Sequence, residues 1–213
     1  DLVNRVCIWV NNDLNESTLP CGTHNILSSG RKIVKPYFDF FNYSGIQRSV
    51  YLVMLPAESV QDYEVRYTLN GADAQVDYKV FCEGAGEISV QLLDAENKLV
   101  AEANSAEGAL CVQNAHLWQV RNAYLYTIVI TLKKDGLPVD EYRERIGIRT
   151  VEIRGTKILI NGKSVYLKGF GKHEDFDILG RGFNWAVAKR DFECMKWTDA
   201  NCFRTSHYPY AEE

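Results

Sequence analysis

The sequence predicts a mainly β protein built around an immunoglobulin-like β-sandwich. Between residues 57 and 149, short apolar runs alternate with turn signals, and the region shows no helical period. Three of the connections, Asn70-Gly71, Gly84-Ala85-Gly86 and Asp135-Gly136, contain residues that tolerate positive φ. About seven short strands over roughly 90 residues are typical of a sandwich of two packed sheets.

The predicted strands of the sandwich follow one another closely along the chain. They are Tyr63–Leu69, Gln75–Phe81, Glu87–Leu93, Lys98–Ala101, Ala109–Gln113, Tyr124–Leu132 and Val139–Ile146. Trp118 and Tyr124 are expected to anchor the core or an edge of this domain. Cys82 and Cys111 could join its two sheets through a disulfide, although a reducing compartment, and hence free thiols, is the favoured interpretation.

The residues before position 57 predict strands that lack enough partners. Val6, Ile8 and Val10 alternate as in a strand, and the apolar run Ser49–Leu55 predicts another that stops at Pro56. Two or three strands joined by a loop of about 25 residues make a poor independent domain, because one face of the sheet stays uncovered. We therefore expect the rest of this domain to lie upstream.

The residues after position 150 follow a different pattern. Asn161-Gly162 joins the apolar runs Lys157–Ile160 and Ser164–Lys168 as in a hairpin. Helical spacing over Trp185–Ala200 then leads into the short predicted strand Cys202–Arg204. Strand, helix and strand begin a parallel α/β array, and a closed barrel needs roughly 200 residues or more. We expect the remainder of that barrel downstream.

Composition excludes several classes of partner. The hydrophobic fraction of 46% and the charged fraction of 24% are ordinary for a folded globular protein. The net charge of -4 and pI of about 5.7, without a basic run, disfavour nucleic acid and anionic membrane surfaces. No apolar stretch approaches the length of a membrane span, and the first residues do not form a leader.

The cysteines do not predict a metal site. No CxxC pair occurs, and no histidine lies at metal-ligand spacing from a cysteine. We interpret the thiols as reduced and mostly buried, and we expect no metal or cofactor. The six positions are Cys7, Cys21, Cys82, Cys111, Cys194 and Cys202.

Two polar clusters follow apolar strands and could form one site. Gly169–Asp175 comes after the run that ends at Lys168, and Arg204–Tyr210 comes after the next predicted strand. Because active groups of parallel barrels collect at the carboxyl ends of strands, His173, Glu174, Arg204 and His207 should point toward one place. Their mixture of imidazole, carboxylate and guanidinium suits a hydroxyl-rich ligand, which both donates and accepts hydrogen bonds.

Each of these residues also has a simpler interpretation. A histidine in a loop is more often a structural hydrogen-bonding group, and Glu174 and Asp175 could be solvated acids. Adjacent residues of an extended strand point to opposite faces, which argues against Glu174 and Asp175 as a facing catalytic pair. Ser206 beside His207 is a weak nucleophile candidate, because neighbouring residues rarely reach the required geometry and no Gly-x-Ser-x-Gly elbow is present.

Taken in order, the motifs resemble family 2 of the glycoside hydrolases over essentially the whole chain. The matching segments are Asp39–Val50, His116–Trp118, Tyr124–Tyr126, Gly147–Val151, Leu159–Lys163, Gly169–Asp175 and Arg204–Glu213. The resemblance implies the C-terminal strands of a jelly-roll sugar-binding domain over 1–56 and the immunoglobulin-like sandwich over 57–149. It further implies the first βα elements of a TIM barrel over 150–213.

Within the family, the motifs are more similar to those of β-glucuronidases than of β-galactosidases. The features that carry this preference are His173-Glu174-Asp175, Gly180–Phe183 and Tyr210–Glu213. One departure is Thr198-Asp199, where the family commonly has an apolar residue and glycine, and this change could alter the packing of the helix.

The resemblance implies four substrate-binding residues and no catalytic residue in this chain. Asp39 matches an aspartate that reaches sugar hydroxyls, and His207 matches the imidazole that meets the same part of the sugar. Arg204 matches an arginine beside the nucleophile, and His173 matches a histidine that lines the pocket. The acid/base and nucleophile glutamates of this retaining family, together with its Asn-x-Lys carboxylate motif, are expected on later barrel strands.

The implied activity is hydrolysis of β-D-glucuronides by a longer protein, a homo-oligomer that in this family is often a tetramer. The chain alone is then expected to be inactive, and the location that the resemblance implies is the bacterial cytoplasm. Two alternatives stay open at this point, a β-galactosidase of the same family and a non-catalytic carbohydrate-binding or assembly module built on the sandwich.

Overall fold

The computed structural model describes residues 3–213, and these residues group into two compact units. Residues 3–51 and 169–213 form one unit, and residues 52–168 form the other. Strand is the main regular structure in both units. No helix in the described part of the chain is long and apolar enough to span a membrane.

The first strands of the chain form a short hairpin, β1 (Gly22–Ile26) and β2 (Lys32–Pro36), paired antiparallel. The strands predicted around Val6–Val10 and over Ser49–Leu55 are wrong, because neither segment is extended in a sheet. Their apolar side chains lie exposed, and a strand persists only where its backbone groups are paired. The alternation of apolar residues alone was therefore not sufficient to identify a strand in these two segments.

Seven further strands form two antiparallel sheets in the second unit. Their order is β3-β4-β7 in one sheet and β6-β5-β8-β9 in the other, as expected for an immunoglobulin-like sandwich. Each lies within a few residues of a predicted strand, so the sandwich prediction is confirmed. Their bounds are β3 Ser59–Asn70, β4 Asp73–Glu83, β5 Glu87–Leu93, β6 Leu99–Ala103, β7 Glu107–Val112, β8 Tyr126–Lys134 and β9 Leu137–Ile146.

The core of the sandwich comes from alternate residues of facing strands. Val76 and Tyr78 on β4 are buried, as are Leu92 on β5 and Ile128 and Ile130 on β8. These side chains form one cluster, because successive residues of a strand point to opposite faces of its sheet. The turn Asp135-Gly136 between β8 and β9 has φ values of 52° and 78°, which suit a tight hairpin.

The expectation of mostly buried cysteines is wrong. Cys7, Cys111 and Cys194 are exposed, and all six thiols are free. Cys82 on β4 and Cys111 on β7 belong to the same sheet, in which Cys111 pairs with Gln75 near the opposite end of β4. A disulfide between the two sheets is therefore excluded for this pair.

Three short strands continue the second unit, β10 (Val151–Arg154), β11 (Lys157–Ile160) and β12 (Lys163–Val165). The predicted Asn161-Gly162 hairpin joins β11 to β12, with φ values of 50° and 71°. The side-chain Nδ2 of Asn161 donates to the Trp118 carbonyl at 2.9 Å. The Arg149 guanidinium lies 4.9 Å from the Trp118 ring centre, so Trp118 anchors this end of the sandwich, as expected.

The last part of the first unit contains two parallel strands and a helix. β13 (Gly169–Lys172) pairs in parallel with β14 (Cys202–Thr205), and α1 (Trp185–Trp197) connects them. The predicted order of strand, helix and strand is thus confirmed, although the first strand lies after the predicted segment Ser164–Lys168. The Asn184 side chain caps α1 by accepting from the amides of residues 186 and 187, and Asp199, just beyond the helix, has a φ of 58°.

Candidate functional site

The candidate site lies where β13 and β14 end. The parallel pairing matches Lys172 with Thr205, which places residues 173–175 beside residues 206–210. The sequence predicted the preceding strand over Ser164–Lys168, but the strand of the parallel pair is Gly169–Lys172 itself. Glycine explains the difference, because a Cβ on Gly169 would lie 2.0 Å from the Cys202 carbonyl oxygen. Only a residue without a side chain permits that approach.

Asp39, His173, Arg204 and His207, the four residues implied by the sequence motifs, lie together in the first unit. Arg204 Nη2 is 3.0 Å from His207 Nδ1, and His207 Nε2 is 3.7 Å from an Asp39 carboxylate oxygen. The His173 ring centre is 5.4 Å from that of His207, with the rings edge to face. The Asp39 side chain is 84% exposed, so its carboxylate can meet a ligand.

Glu174, which the sequence also placed with this group, has a structural role. Its Oε1 accepts a hydrogen bond from the Ala211 amide at 2.8 Å, and its own amide donates to the Tyr208 hydroxyl at 3.0 Å. These two bonds tie the segment after β13 to the segment after β14. Glu174 is half-buried and engaged, so it does not join the exposed cluster.

Asp175 is held close to His173. Its Oδ1 accepts from the Tyr208 hydroxyl at 3.1 Å and lies 3.6 Å from His173 Nδ1. The neighbours Glu174 and Asp175 thus engage different groups, in line with the prediction that they do not face each other as a pair. Asp175 contacts the site through the histidine, a role that the sequence did not indicate.

Aromatic residues that the sequence analysis did not select complete the site. The Phe40 ring centre lies 6.1 Å from that of His207, 6.5 Å from that of His173 and 5.4 Å from that of Tyr208. The Arg181 guanidinium lies 3.6 Å from the Tyr208 ring centre. Phe40 follows Asp39 directly and Tyr208 follows His207, so adjacency to the selected residues was the available signal.

The phenols beside the site stay neutral at physiological pH. Burial raises the pKa of Tyr208, and burial, aided by the neighbouring Tyr208, raises the pKa of Tyr210 to about 12. The Tyr208 hydroxyl can therefore serve as donor and acceptor at the same time, as its contacts with Asp175 and the Glu174 amide require.

A cavity of about 600 Å³ lies beside this cluster, in the same unit. Its lining includes Phe192, Phe203 and Tyr210, with the ion pair between Lys172 and Asp191 at 2.8 Å. None of the four cluster residues lines it. Its wall combines aromatic rings with charged side chains, among them Glu174 and Glu193. Among residues 3–213, no set of three or more His, Cys, Asp or Glu side chains is placed to hold a metal ion.

Comparison with known proteins connects this geometry to a family. The model of "Glycosyl hydrolases family 2" matches residues 58–149, and that of "Glycosyl hydrolases family 2, TIM barrel domain" matches residues 151–213. A β-glucuronidase of Paenibacillus borealis is 44% identical over 217 residues, which are 99% of this chain and 36% of the relative. The human β-glucuronidase is 42% identical over 98% of this chain and 35% of its own length.

Solved structures agree with these sequence relatives. A β-glucuronidase from Ruminococcus gnavus in complex with uronic deoxynojirimycin is 66% identical, with a TM-score of 0.88 over 95% of this chain and 35% of that one. The same TM-score and coverage hold for that enzyme in complex with D-glucaro 1,5-lactone. The chain thus spans about a third of the length of the proteins it matches.

Proposed function

The chain belongs to glycosyl hydrolase family 2, and from this membership we propose that the protein containing it hydrolyses β-D-glucuronides. In this proposal, the chain supplies part of the sugar-binding site. The support comes from relatives named β-glucuronidase and from a neighbour, 66% identical, whose structures are complexes with uronic deoxynojirimycin and with D-glucuronic acid.

The observation that carries the proposal is the convergence of Asp39, His207 and Arg204. A carboxylate acceptor, an imidazole and a guanidinium donor lie in one chain of contacts of 3.7 Å and 3.0 Å. Sugar hydroxyls need both hydrogen-bond donors and hydrogen-bond acceptors, and this exposed group of three side chains offers both. His173 extends the group on the second strand end.

The chemistry of retaining glycosidases separates the sugar-binding residues of this chain from the carboxyl groups that react. Such enzymes need two carboxyl groups about 5–5.5 Å apart, one to protonate the leaving oxygen and one to attack the sugar. Glu174 and Asp175 are engaged by the Ala211 amide and the Tyr208 hydroxyl, so neither is free for these roles. As the family resemblance implies, the reacting pair would belong to other parts of the protein, and Arg204 would favour the ionised form of the nearby nucleophile.

The proposal extends to organisation and location. Residues 1–56 would complete a jelly-roll domain, 57–149 the sandwich and 150–213 the start of the barrel, and the family-model limits at 58–149 and 151–213 support this division. The intact protein would be a homo-oligomer, often a tetramer in this family, in the bacterial cytoplasm, as the resemblance to a bacterial β-glucuronidase suggests. Light scattering and cell fractionation test these two points.

The activity is tested with chromogenic glycosides. The intact protein should release 4-nitrophenol from the β-D-glucuronide far faster than from the β-D-galactoside, whereas the 213-residue chain should release none. An intact protein that prefers the galactoside would contradict the substrate assignment. Turnover by the chain alone would contradict the absence of catalytic carboxylates, and tight binding of glucaro-lactone to the chain in calorimetry would favour a stand-alone binding module instead.

A further inference from the structure

We propose that Arg204 and Asp175 hold the neighbouring imidazoles of His207 and His173 in opposite tautomers. The sugar would then meet one ring N–H donor and one ring nitrogen acceptor. The inference rests on the proposed function, because it specifies how this site recognises sugar hydroxyls.

Arg204 fixes the tautomer of His207. A guanidinium has only N–H donors and no acceptor, and Arg204 Nη2 lies 3.0 Å from His207 Nδ1. The Nδ1 atom must therefore present its lone pair, so the neutral ring carries its proton on Nε2. That N–H is on the side of the exposed Asp39 carboxylate, 3.7 Å away, where a sugar hydroxyl can enter.

The charge of Asp175 favours one tautomer of the other ring. Its Oδ1 lies 3.6 Å from His173 Nδ1, which is too far for a hydrogen bond, but the negative charge favours a proton on that nitrogen. The carboxylate is itself held by the Tyr208 hydroxyl at 3.1 Å, whose oxygen accepts from the Glu174 amide at 3.0 Å. The neutral His173 ring then presents Nε2 as an acceptor.

The two rings are placed to act together. Their centres are 5.4 Å apart at an interplanar angle of 83°, and the Phe40 ring lies within 6.5 Å of both. An apolar ring at this place offers neither imidazole a competing hydrogen bond. One ring therefore donates to a hydroxyl oxygen and the other accepts a hydroxyl proton, which assigns a different role to each hydroxyl that the pair contacts.

Nuclear magnetic resonance of the protein labelled with ¹⁵N-histidine tests the tautomers directly. Two-bond proton–nitrogen correlations distinguish a protonated from an unprotonated ring nitrogen, and His207→Gln and His173→Gln assign the two spin systems. The expected pattern is Nε2–H for His207 and Nδ1–H for His173 in the absence of any ligand. The same tautomer on both rings, or a mixture on either, overturns the proposal.

Matched variants test the cause of each tautomer. Arg204→Met should convert His207 into a mixture of tautomers, whereas the exposed Arg190→Met on α1 should leave it unchanged. Asp175→Ala should likewise convert His173 into a mixture of tautomers, whereas Asp177→Ala, at an exposed position, should leave His173 unchanged. A His207 or His173 tautomer that survives loss of its partner contradicts the assigned cause. The wild-type spectrum remains decisive if a variant does not fold.

Fluorinated ligands connect the tautomers to recognition. Fluorine accepts a hydrogen bond weakly but cannot donate one, so replacing the hydroxyl that donates to His173 should weaken binding about tenfold. Among the C2, C3 and C4 monofluoro glucuronides, at least one should show this loss in the wild type and not in His173→Ala. No such coupling at any position overturns the recognition step. If no glucuronide binds at all, the proposed function fails, while the ligand-free spectra still decide the tautomers.

Discussion

At the scale of single residues, the surroundings of Tyr210 determine the pKa of its phenol and the hydrogen bonds that it can form. Burial raises its pKa to about 12, and its hydroxyl lies near the Ser206 amide, whose proton already goes to the Lys172 carbonyl at 2.9 Å. The phenol therefore gains little from hydrogen bonding, and its ionised form is disfavoured. The side chain serves mainly to pack beside Tyr208, with ring centres 5.6 Å apart.

The raised pKa of Tyr210 predicts a loss of stability at alkaline pH. In the unfolded chain this phenol ionises near its ordinary value of 10.0, whereas in the folded protein it keeps its proton up to about 12. The stabilisation is complete below pH 10 and decreases as the pH rises toward 12, because the unfolded state then binds fewer protons.

Tyr210→Phe isolates this contribution. The denaturant midpoint of the variant should equal or slightly exceed that of the wild type at pH 8 and should fall less between pH 10 and pH 12. Tyr51→Phe, at an exposed position of the same unit, serves as the control and should follow the wild type. If the denaturant midpoints of Tyr210→Phe and the wild type fell in parallel between pH 10 and pH 12, Tyr210 would not be the cause of the alkaline loss of stability.

At the scale of secondary-structure elements, the residue that follows the end of α1 is less stable in its backbone conformation than a glycine would be. Asp199 has a φ of 58°, its amide donates to the Lys196 carbonyl, and the Ala200 amide donates to the Met195 carbonyl. This is the pattern of a helix that ends in a left-handed residue, a position that glycine occupies without steric cost. The sequence flagged Thr198-Asp199 as a departure, and the backbone explains why glycine is common there.

Asp199→Gly should therefore raise the free energy of unfolding by about 0.5–1 kcal/mol. The gain comes from removing the Cβ at a backbone position with positive φ. Chemical denaturation of the wild type, Asp199→Gly and Asp199→Ala measures it. Asp199→Ala keeps the Cβ and should show no such gain, so equal stabilisation by both variants would refute the conformational argument.

Elements were predictable where local signals and packing agree. The sandwich strands have alternation, turns with positive φ and paired neighbours in a sheet, and their predicted positions match β3 to β9 closely. Val6–Val10 and Ser49–Leu55 have the apolar pattern but no partner strand, so the pattern alone misled. β13 was misplaced because its glycines, needed for close approach to β14, weaken every local strand signal.

The candidate site was predictable only in part for a similar reason. Its histidines and Arg204 follow strands and could be found from position, and Asp39 was found only through the family motif. The other residues of the site belong to it through contacts between segments that are distant in sequence, and local sequence does not encode such contacts. These residues are Phe40, Tyr208 and Asp175.

At the scale of the whole molecule, the hydrophobic core is concentrated in residues 52–168. Its clustered buried side chains, including Val90, Leu92 and Ile128, all come from that unit. The first unit instead exposes large apolar residues such as Trp185 and Trp197 on α1. The second unit alone therefore has the core that independent folding requires.

Residues 52–168 expressed alone should unfold in one cooperative transition. Leu92→Ala, at a fully buried position, should cost about 2–5 kcal/mol, whereas Leu137→Ala, at a position 69% exposed, should cost much less. Urea denaturation followed by tryptophan fluorescence measures both. A broad transition without cooperativity, or equal costs for the two variants, would show that this core does not sustain the unit.

The claim that this chain provides sugar-binding residues is tested most directly at Asp39. The Asp39 side chain is 84% exposed, so its removal should leave stability unchanged while it removes a charged acceptor for the sugar. In the intact protein, Asp39→Ala should lower kcat/KM for 4-nitrophenyl β-D-glucuronide by about tenfold to a hundredfold at an unchanged Tm. The exposed Asp177→Ala should retain wild-type kinetics. An Asp39→Ala protein as active as Asp177→Ala would contradict the account.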